Sequence, residues 1–258
     1  VETGGFQKPA CACLQTVTCY FDVMQLNDGL QTTTNNLSST HIGLALEYLY
    51  ESRKIKQWNK QCLSTIIHGF IGLESYVNFL GHELFFNDES HLYLSLDKKE
   101  LPLKKLLNSW GSTLPVLDKI EYLLSLKSKS LPDNLKFQLI ELNNLRNWLV
   151  HGFSYKTTYL LEPDNVKEQT YSVLDMEDNV DWKKKFPHTK FHSLSLLDFS
   201  DAEIALKIVL EVLKVLINCY MQPIIIFILT DKLTVKSISH EDSNDIYALL
   251  KGEDKNSR

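Results

Sequence analysis

The chain has 258 residues, 44% hydrophobic and 23% charged, which is an ordinary composition for a globular protein with a sizeable core. Its net charge of −5 argues against a protein whose whole surface coats nucleic acid, because phosphate contacts need an excess of basic residues, but it leaves room for a local basic cleft. The scattered cysteines, with no C-x-x-C pair, argue against a disulfide framework and a zinc site and favour reduced thiols in a cytoplasmic protein: Cys11, Cys13, Cys19, Cys62 and Cys219.

Residues 1–38 differ in composition from the rest of the chain. Residues 16–26 are rich in β-branched and aromatic side chains, residues 27–29 supply an Asn-Asp-Gly turn signal, and residues 30–34 can return as a second strand. We therefore predict a short N-terminal β hairpin that forms the tail of another domain. Because the sequence starts with Val1 and shows no signal peptide, we expect it to begin inside a longer gene product or after processing.

Helical periodicity dominates residues 40–85, with Ser39 or Thr40 as the cap and a break or kink near Gln57. The second half of this segment repeats one face at a spacing of three and four residues: Leu63, Ile66, Ile67, Phe70, Val77 and Gly81. We then expect a loop over residues 87–100, a shorter helix from about Pro102, and another helix from Pro115 to about Leu126.

A well-bounded helix follows, from a cap signal at residues 130–133 to a glycine stop at Gly152. Pro132 lies in its first turn, Asp133 lies near its positive end, and Gly152 is placed to stop it. The apolar stripe of this helix consists of Leu135, Leu139, Leu142 and Leu149. This segment also carries an arginine, an asparagine and a histidine within six positions, in the sequence LRNWLVHG.

The last third of the chain combines a long connection with a nearly all-apolar helix. Residues 153–197 form an insertion with two short strands near residues 159–161 and 171–174, and residues 200–203 read as a capping box. The helix that follows has one narrow polar stripe, and residues 204–230 contain too many charges and a proline to span a membrane. The apolar run 224–229 is a strand or a continued helix, and the last ten residues or so are expected to fray.

These elements predict an all-α, up-and-down bundle of four to five helices. Its parts are an N-terminal β segment at residues 1–38, the bundle at residues 39–222 with the insertion 153–197, and a C-terminal extension at residues 223–258. We find no internal repeats and no low-complexity segments.

Two helices each carry one charge in the middle of an apolar face. At about 100° per residue, Arg146 projects about 20° from Leu135, and Glu74 projects about 20° from Leu63. An isolated charge at such a position is costly to bury, and the two signs are opposite. We therefore predict that Glu74 and Arg146 meet as a buried or half-buried ion pair, the alternative being that a kink carries one of the charges to solvent.

A second, mixed face of the same helix carries Asn144, Asn147 and His151, flanked by Phe137 and Trp148. Aromatic and polar groups together are typical of a surface that binds a partner, and a homodimer through this face would bring two copies of His151 close together. His151 also lies in the last turn, where the helix dipole favours imidazolium.

This set of residue types suits phosphodiester chemistry. A histidine can transfer a proton, an arginine can neutralise phosphate charge, and an asparagine can orient either one. Since no acidic metal cluster is evident, a reaction without metal or other cofactor is the natural form. The alternative is a histidine-glycine helix stop and a structural ion pair with no catalysis.

Residues 146–152, Arg-Asn-Trp-Leu-Val-His-Gly, resemble the R-x4-6-H motif of the HEPN superfamily, and residues 70–80 resemble the early helix of such domains, which commonly carries a Glu and an Asn as Glu74 and Asn78 do here. The order of helices over residues 40–220 is similar too. One subset of the family, paired with a nucleotidyltransferase antitoxin, has a tyrosine two residues after the histidine, and here that residue is Phe153.

The resemblance implies a dimeric, metal-independent endoribonuclease of the toxin or anti-phage defence type, with an antitoxin or defence partner protein. Arg146 and His151 would then be catalytic, Asn147 would share the site, and Glu74, Asn78 and Asn144 would support it. The ribose 2′-hydroxyl would act as the nucleophile, so the substrate would be RNA. The lysine run Lys183, Lys184 and Lys185 is a candidate guide for RNA, or simply a solvated loop. The alternatives are a catalytically inactive HEPN module for dimerisation or RNA sensing, and a helical scaffold unrelated to RNA.

Overall fold

A computed structural model of the chain describes residues 36–54, 60–96, 104–111, 113–151, 158–161, 171–174, 176–177, 180–229, 233–239 and 245–252. The predicted N-terminal hairpin and Gly152 lie outside these residues. In the described part of the chain, no helix is both long enough and apolar enough to cross a membrane.

The described residues are mainly helical. The helices are α1 (Ser38–Ser52), α2 (Lys60–Phe85), α3 (His91–Leu94), α4 (Lys104–Trp110), α5 (Val116–Leu126), α6 (Asp133–His151), α7 (Trp182–Lys185), α8 (Phe199–Tyr220) and α9 (Asp245–Lys251). The strands are β1 (Thr158–Leu161), β2 (Tyr171–Leu174), β3 (Met176–Glu177), β4 (Val180–Asp181), β5 (Ile224–Leu229) and β6 (Leu233–Ile238). They form three antiparallel pairs, β1 with β2, β3 with β4, and β5 with β6, so the all-α description is correct only for the bulk of the chain.

Helix α2 is the central element, and it packs against α1, α5, α6 and α8. Two of its glycines allow close approach of neighbours. A Cβ on Gly72 would lie 2.6 Å from Cδ1 of Ile42, and one on Gly81 would lie 2.0 Å from Nε1 of Trp110. Close packing on several sides explains why α2 is apolar over so much of its surface, and why a charge on it needs a partner.

The predicted break between the first two helices is confirmed, since α1 ends at Ser52 and α2 begins at Lys60. The predicted cap of α1 is wrong. The residue before the helix is Leu37, without a side-chain cap, and Ser39 lies inside the first turn, where its hydroxyl donates to the carbonyl of Ile225 in β5. The backbone N–H of Ser38 donates instead to the side-chain oxygen of Asn36, at 2.9 Å.

Three short helices among the described residues were not predicted from the sequence, and one of them, α7, lies in the insertion. Helix α3 lies within the expected loop at residues 87–100, and Ser90 caps it by accepting a hydrogen bond from the backbone of Leu92. Helix α9 lies partly within the segment expected to fray, and its Leu249 and Leu250 are buried. Helix α5 and the strand pair β1–β2 are as predicted, and the apolar run 224–229 is a strand.

The predicted capping box of α8 is wrong by two residues. Asp198 is the N-cap, accepting from the backbone N–H groups of Ser200 and Asp201, and the Asp201 carboxylate accepts from the backbone of Asp198 in return. A box that pairs Asp with Asp is harder to recognise than the usual Ser/Thr with Glu, which explains the error.

Candidate functional site

The predicted ion pair between Glu74 and Arg146 is confirmed. Nη2 of Arg146 on α6 donates to Oε2 of Glu74 on α2 at 3.2 Å, and the side chains are 21% and 36% exposed respectively. The guanidinium carbon lies 5.1 Å from the centroid of the Phe70 ring, one turn before Glu74. The pair is therefore half-buried at the edge of the core, which is the position that both projections predicted.

Asn147 connects the core-facing arginine to the second face of α6. Its Oδ1 accepts a hydrogen bond from Nη1 of Arg146 at 2.9 Å, although the two residues project about 100° apart on the helix. His151 lies one turn beyond Asn147 on the same face, at the exposed C-terminal end of α6. Asn147 thus binds Arg146 and lies one turn before His151 on the same face.

Lys119 on α5 is a charged member of this site that sequence reasoning missed. It is only 2% exposed, and its Nζ donates to Oδ1 of Asn78 at 2.8 Å and lies 5.9 Å from the Trp110 ring centroid. Burial lowers the pKa of Lys119, while the negative charge of Glu74, one turn before Asn78, acts to raise it. The predicted supporting residue Asn78 therefore binds a second buried cation.

Helical projection could have found Lys119. With Ile120 at zero, the buried residues Val116 and Leu123 project at about −40° and −60°, and Lys119 follows at about −100°. It lies at the edge of the apolar stripe, where a lysine normally reaches solvent with its ammonium. Here Asn78 and Trp110 hold the ammonium inside.

Not every N–H donor of the Arg146 guanidinium has an acceptor among the described residues. Nη1 and Nη2 are bound to Asn147 and Glu74, whereas Nε is buried and has no hydrogen-bond partner among the described residues. A guanidinium carries five N–H groups, and a buried donor without an acceptor costs about 1–3 kcal/mol. The guanidinium therefore has hydrogen-bonding capacity that its contacts with the described residues do not use.

The aromatic side chains on the mixed face of α6 contact the insertion of the same chain. The Phe137 ring stacks on His188 at 4.8 Å, and the Trp148 ring meets Trp182 edge-on at 5.4 Å. Part of the face remains exposed, at Phe137, Asn144, Val150 and His151, with Asn147 half-buried beside them. The surface available to a partner is thus narrower than the sequence suggested, because Trp148 is covered.

A buried carboxylate anchors the insertion to α6. Glu141 accepts hydrogen bonds from the backbone N–H groups of His188 and Thr189 and from the Thr189 hydroxyl, at distances from 2.7 to 3.2 Å. A fixed carboxylate satisfies these three donors, although the partners lie 47 and 48 residues apart in the chain. The same helix therefore carries both the motif and the anchor of the insertion.

The lysine run lies on α7, at the N-terminal end of this anchored segment. Lys183, Lys184 and Lys185 are all exposed. Lys185 lies 5.3 and 5.2 Å from the ring centroids of Trp148 and Trp182, so its ammonium covers the aromatic pair. The role of the three lysines in binding RNA stays a prediction.

One group of potential metal ligands occurs in the described part of the chain, made of His192, Asp198 and Asp201. The buried Asp201 accepts from the backbone and ring of His192 and from the backbone of Asp198, which in turn caps α8. These carboxylates stand at the positive end of the α8 dipole, which disfavours a cation. The group is therefore explained by capping of α8.

A pair of histidines lies between α1 and α2. The Nδ1 atoms of His41 and His68 are 3.0 Å apart, so one ring must donate the proton that the other accepts, and Tyr48 stacks on His68. Burial lowers the pKa of both rings, and the charge of His41 lowers that of His68 further. This pair ties together the two helices that hold Glu74 in place.

Comparison of the chain with models of protein families, with curated proteins and with solved structures finds no match. The function is therefore argued from the residues of the site and from the resemblance of the motif.

Proposed function

We propose that the protein is a metal-independent endoribonuclease of the HEPN type, which acts as a dimer with a composite site of Arg146, Asn147 and His151. The contact that carries the proposal is the hydrogen bond between Arg146 and Asn147, because it holds the arginine on the side of α6 where His151 is exposed. An arginine with a solely structural role would need its contacts with Glu74 and Phe70, but it would not need a hydrogen bond to a residue of the mixed face.

The proposed reaction is attack of a ribose 2′-hydroxyl on the adjacent phosphorus. His151 takes the hydroxyl proton, the bond to the 5′-oxygen breaks, and a 2′,3′-cyclic phosphate and a 5′-hydroxyl end result. Arg146 neutralises the charge that builds on the phosphoryl oxygens, and Asn147 keeps its guanidinium oriented. The second proton transfer, to the leaving oxygen, falls to a histidine of the other subunit, which is why the reaction calls for a dimer.

The proposed dimer uses the exposed part of the mixed face, with Asn144, Val150 and His151 at its centre. A toxin or defence role in the cytoplasm, restrained by an antitoxin or another partner protein, belongs to the same proposal. Lys183, Lys184 and Lys185 are the exposed cations proposed to guide RNA.

The test is cleavage of labelled single-stranded RNA in the presence of EDTA by the wild type, His151→Ala and Arg146→Met. His82→Ala is the matched control, because His82 is also an exposed histidine in the last turn of a long helix. We expect wild-type and control activity with cyclic phosphate ends, and a loss of at least a hundredfold in the two motif variants. Cleavage that persists in His151→Ala, or no cleavage by the wild type, would refute an enzymatic role.

A second candidate is a catalytically inactive HEPN module that dimerises or senses RNA. It is favoured by the intrachain contacts of Arg146 with Glu74, Asn147 and Phe70, which are sufficient to give the arginine a structural role. Binding of RNA by the wild type, without cleavage and with no change in His151→Ala, would support it over the first.

A further inference from the structure

The polar groups around Glu74 form a row with a net positive charge. Arg146 from α6 pairs with Glu74 on α2, and Lys119 from α5 donates to Asn78, which lies one helical turn after Glu74 on the same face of α2. An arginine neutralised by its own carboxylate is a poor phosphate ligand, because the pair has no net charge. Two cations around one anion leave a charge of +1, which is suited to an anionic ligand.

We propose that Lys119 is a positioning residue of this site, which keeps Glu74 compensated while Arg146 turns from Glu74 to a phosphate group of RNA. This inference rests on the proposed function. When Arg146 leaves Glu74, the protein loses one half-buried ion pair. The free-energy cost would be higher if the carboxylate were left without any cation. In this proposal Lys119 lowers the cost, because its buried ammonium is bound to Asn78, one helical turn from Glu74.

The surroundings of Lys119 fit this role better than a purely structural one. A lysine that served only to fill space could be replaced by an apolar residue, since burying its ammonium is unfavourable. The ammonium is instead bound to Asn78, on the face of α2 that carries Glu74, and the negative charge of Glu74 acts to raise the pKa that burial lowers. In this proposal Glu74 is the counter-ion of both Arg146 and Lys119.

The experiment measures binding of a fluorescent single-stranded RNA oligonucleotide by anisotropy, with all variants in the His151→Ala background so that the RNA is not cut. Lys119→Gln removes the charge and keeps a donor for Asn78, and Lys119→Met is the second variant in case the first fails to fold. Lys136→Gln is the matched control, because Lys136 also pairs with one carboxylate, Glu121, but on the exposed surface of α6.

We expect Lys119→Gln to weaken RNA binding on the order of five- to tenfold and Lys136→Gln to change it less than twofold. The deciding variant is Lys119→Gln in a Glu74→Gln background, where no carboxylate needs compensation. There the loss of the lysine should change the affinity less than twofold. A structural lysine would weaken binding equally with and without Glu74.

The outcomes separate the two proposals. Equal losses in both backgrounds, or no loss in either, would overturn the role of Lys119 while leaving the nuclease proposal intact. Absence of RNA binding in the parent protein would overturn both. Binding that depends on Lys119 only when Glu74 is present, without RNA cleavage by the wild type, would support the role of Lys119 in an RNA-sensing module.

Discussion

The ion pair between Glu74 and Arg146 allows a stability prediction that tests the physical basis of the site. The perturbations are Glu74→Gln, which removes the negative charge and keeps the shape, and Arg146→Met, which removes the guanidinium and keeps an apolar stem against Phe70. Together with their combination they form a double-mutant cycle, which isolates the energy of the pair from the other contacts of each residue.

The expected coupling energy follows from the geometry. At 3.2 Å and an effective dielectric constant of about 20, the gross Coulomb attraction is about 5 kcal/mol. Desolvation and side-chain entropy cancel most of it, and exposed pairs retain about 0.2–1 kcal/mol. Because Arg146 is 21% exposed and Glu74 is 36% exposed, we expect an intermediate coupling of about 1–2 kcal/mol.

The single variants should differ in cost for a reason specific to this site. Arg146→Met leaves Glu74 with Lys119 as its remaining cation, whereas Glu74→Gln leaves two partly or fully buried cations without a counter-ion. We therefore expect Glu74→Gln to lower the free energy of unfolding more than Arg146→Met does.

Urea unfolding followed by far-UV circular dichroism gives the four free energies of unfolding. Repeating the cycle in 1 M NaCl should reduce the coupling only in part, because screening is weak for half-buried pairs. A coupling energy below about 0.3 kcal/mol, or a larger loss in Arg146→Met than in Glu74→Gln, would show that the charges around Glu74 are not balanced as described.

Two further predictions concern the packing around the site. Glu141→Ala removes the acceptor of three hydrogen bonds from His188 and Thr189, so it should lower the free energy of unfolding by about 3 kcal/mol in urea titrations. The exposed control Glu121→Ala should lower it by less than about 1 kcal/mol. Similar losses in the two variants would contradict the role of Glu141 as an anchor. The pKa of His41 and His68 is below the ordinary value of 6.5 in the folded chain, so the unfolded chain binds these protons first and stability falls as the pH drops through the window below about 6.5. Thermal unfolding from pH 7.5 to 5 should show this loss of stability, at no more than about 1.4 kcal/mol per pH unit for each ring. His68→Gln should reduce the dependence of stability on pH. An unchanged slope in the variant would assign the pH dependence to other groups.

Periodicity was sufficient to find the ion pair, because a charge at the centre of an apolar stripe must have a partner and only two helices carried one. It was not sufficient for Lys119, which lies at the edge of its stripe, where the length of the side chain decides between solvent and core. It also missed the bond from Arg146 to Asn147, since long side chains reach beyond the face on which they start.

The error in the cap of α1 and the unpredicted helix α9 have a common cause. Ser39 has the right residue type for a cap, yet its hydroxyl donates to Ile225, 186 residues away in the chain. The burial of Leu249 and Leu250 in α9 depends likewise on helices that precede them by many residues. Rules that predict helix ends use the local sequence alone. They fail where a distant element binds the side chain expected to cap a helix, or buries a segment expected to fray.

The insertion is likewise held by contacts between residues far apart in the chain, and these contacts reduce the surface available to the proposed dimer. By anchoring at Glu141 and covering Trp148, residues 182–191 reduce the aromatic surface of the mixed face, while Phe137 stays 46% exposed although it stacks on His188. The exposed residues that remain, Phe137, Asn144, Val150 and His151, form a small and mixed surface, and small interfaces are typical of weak, transient association. The proposed composite site would then assemble only when RNA or a partner protein adds contacts, which gives a toxic nuclease a simple way to stay inactive at low concentration.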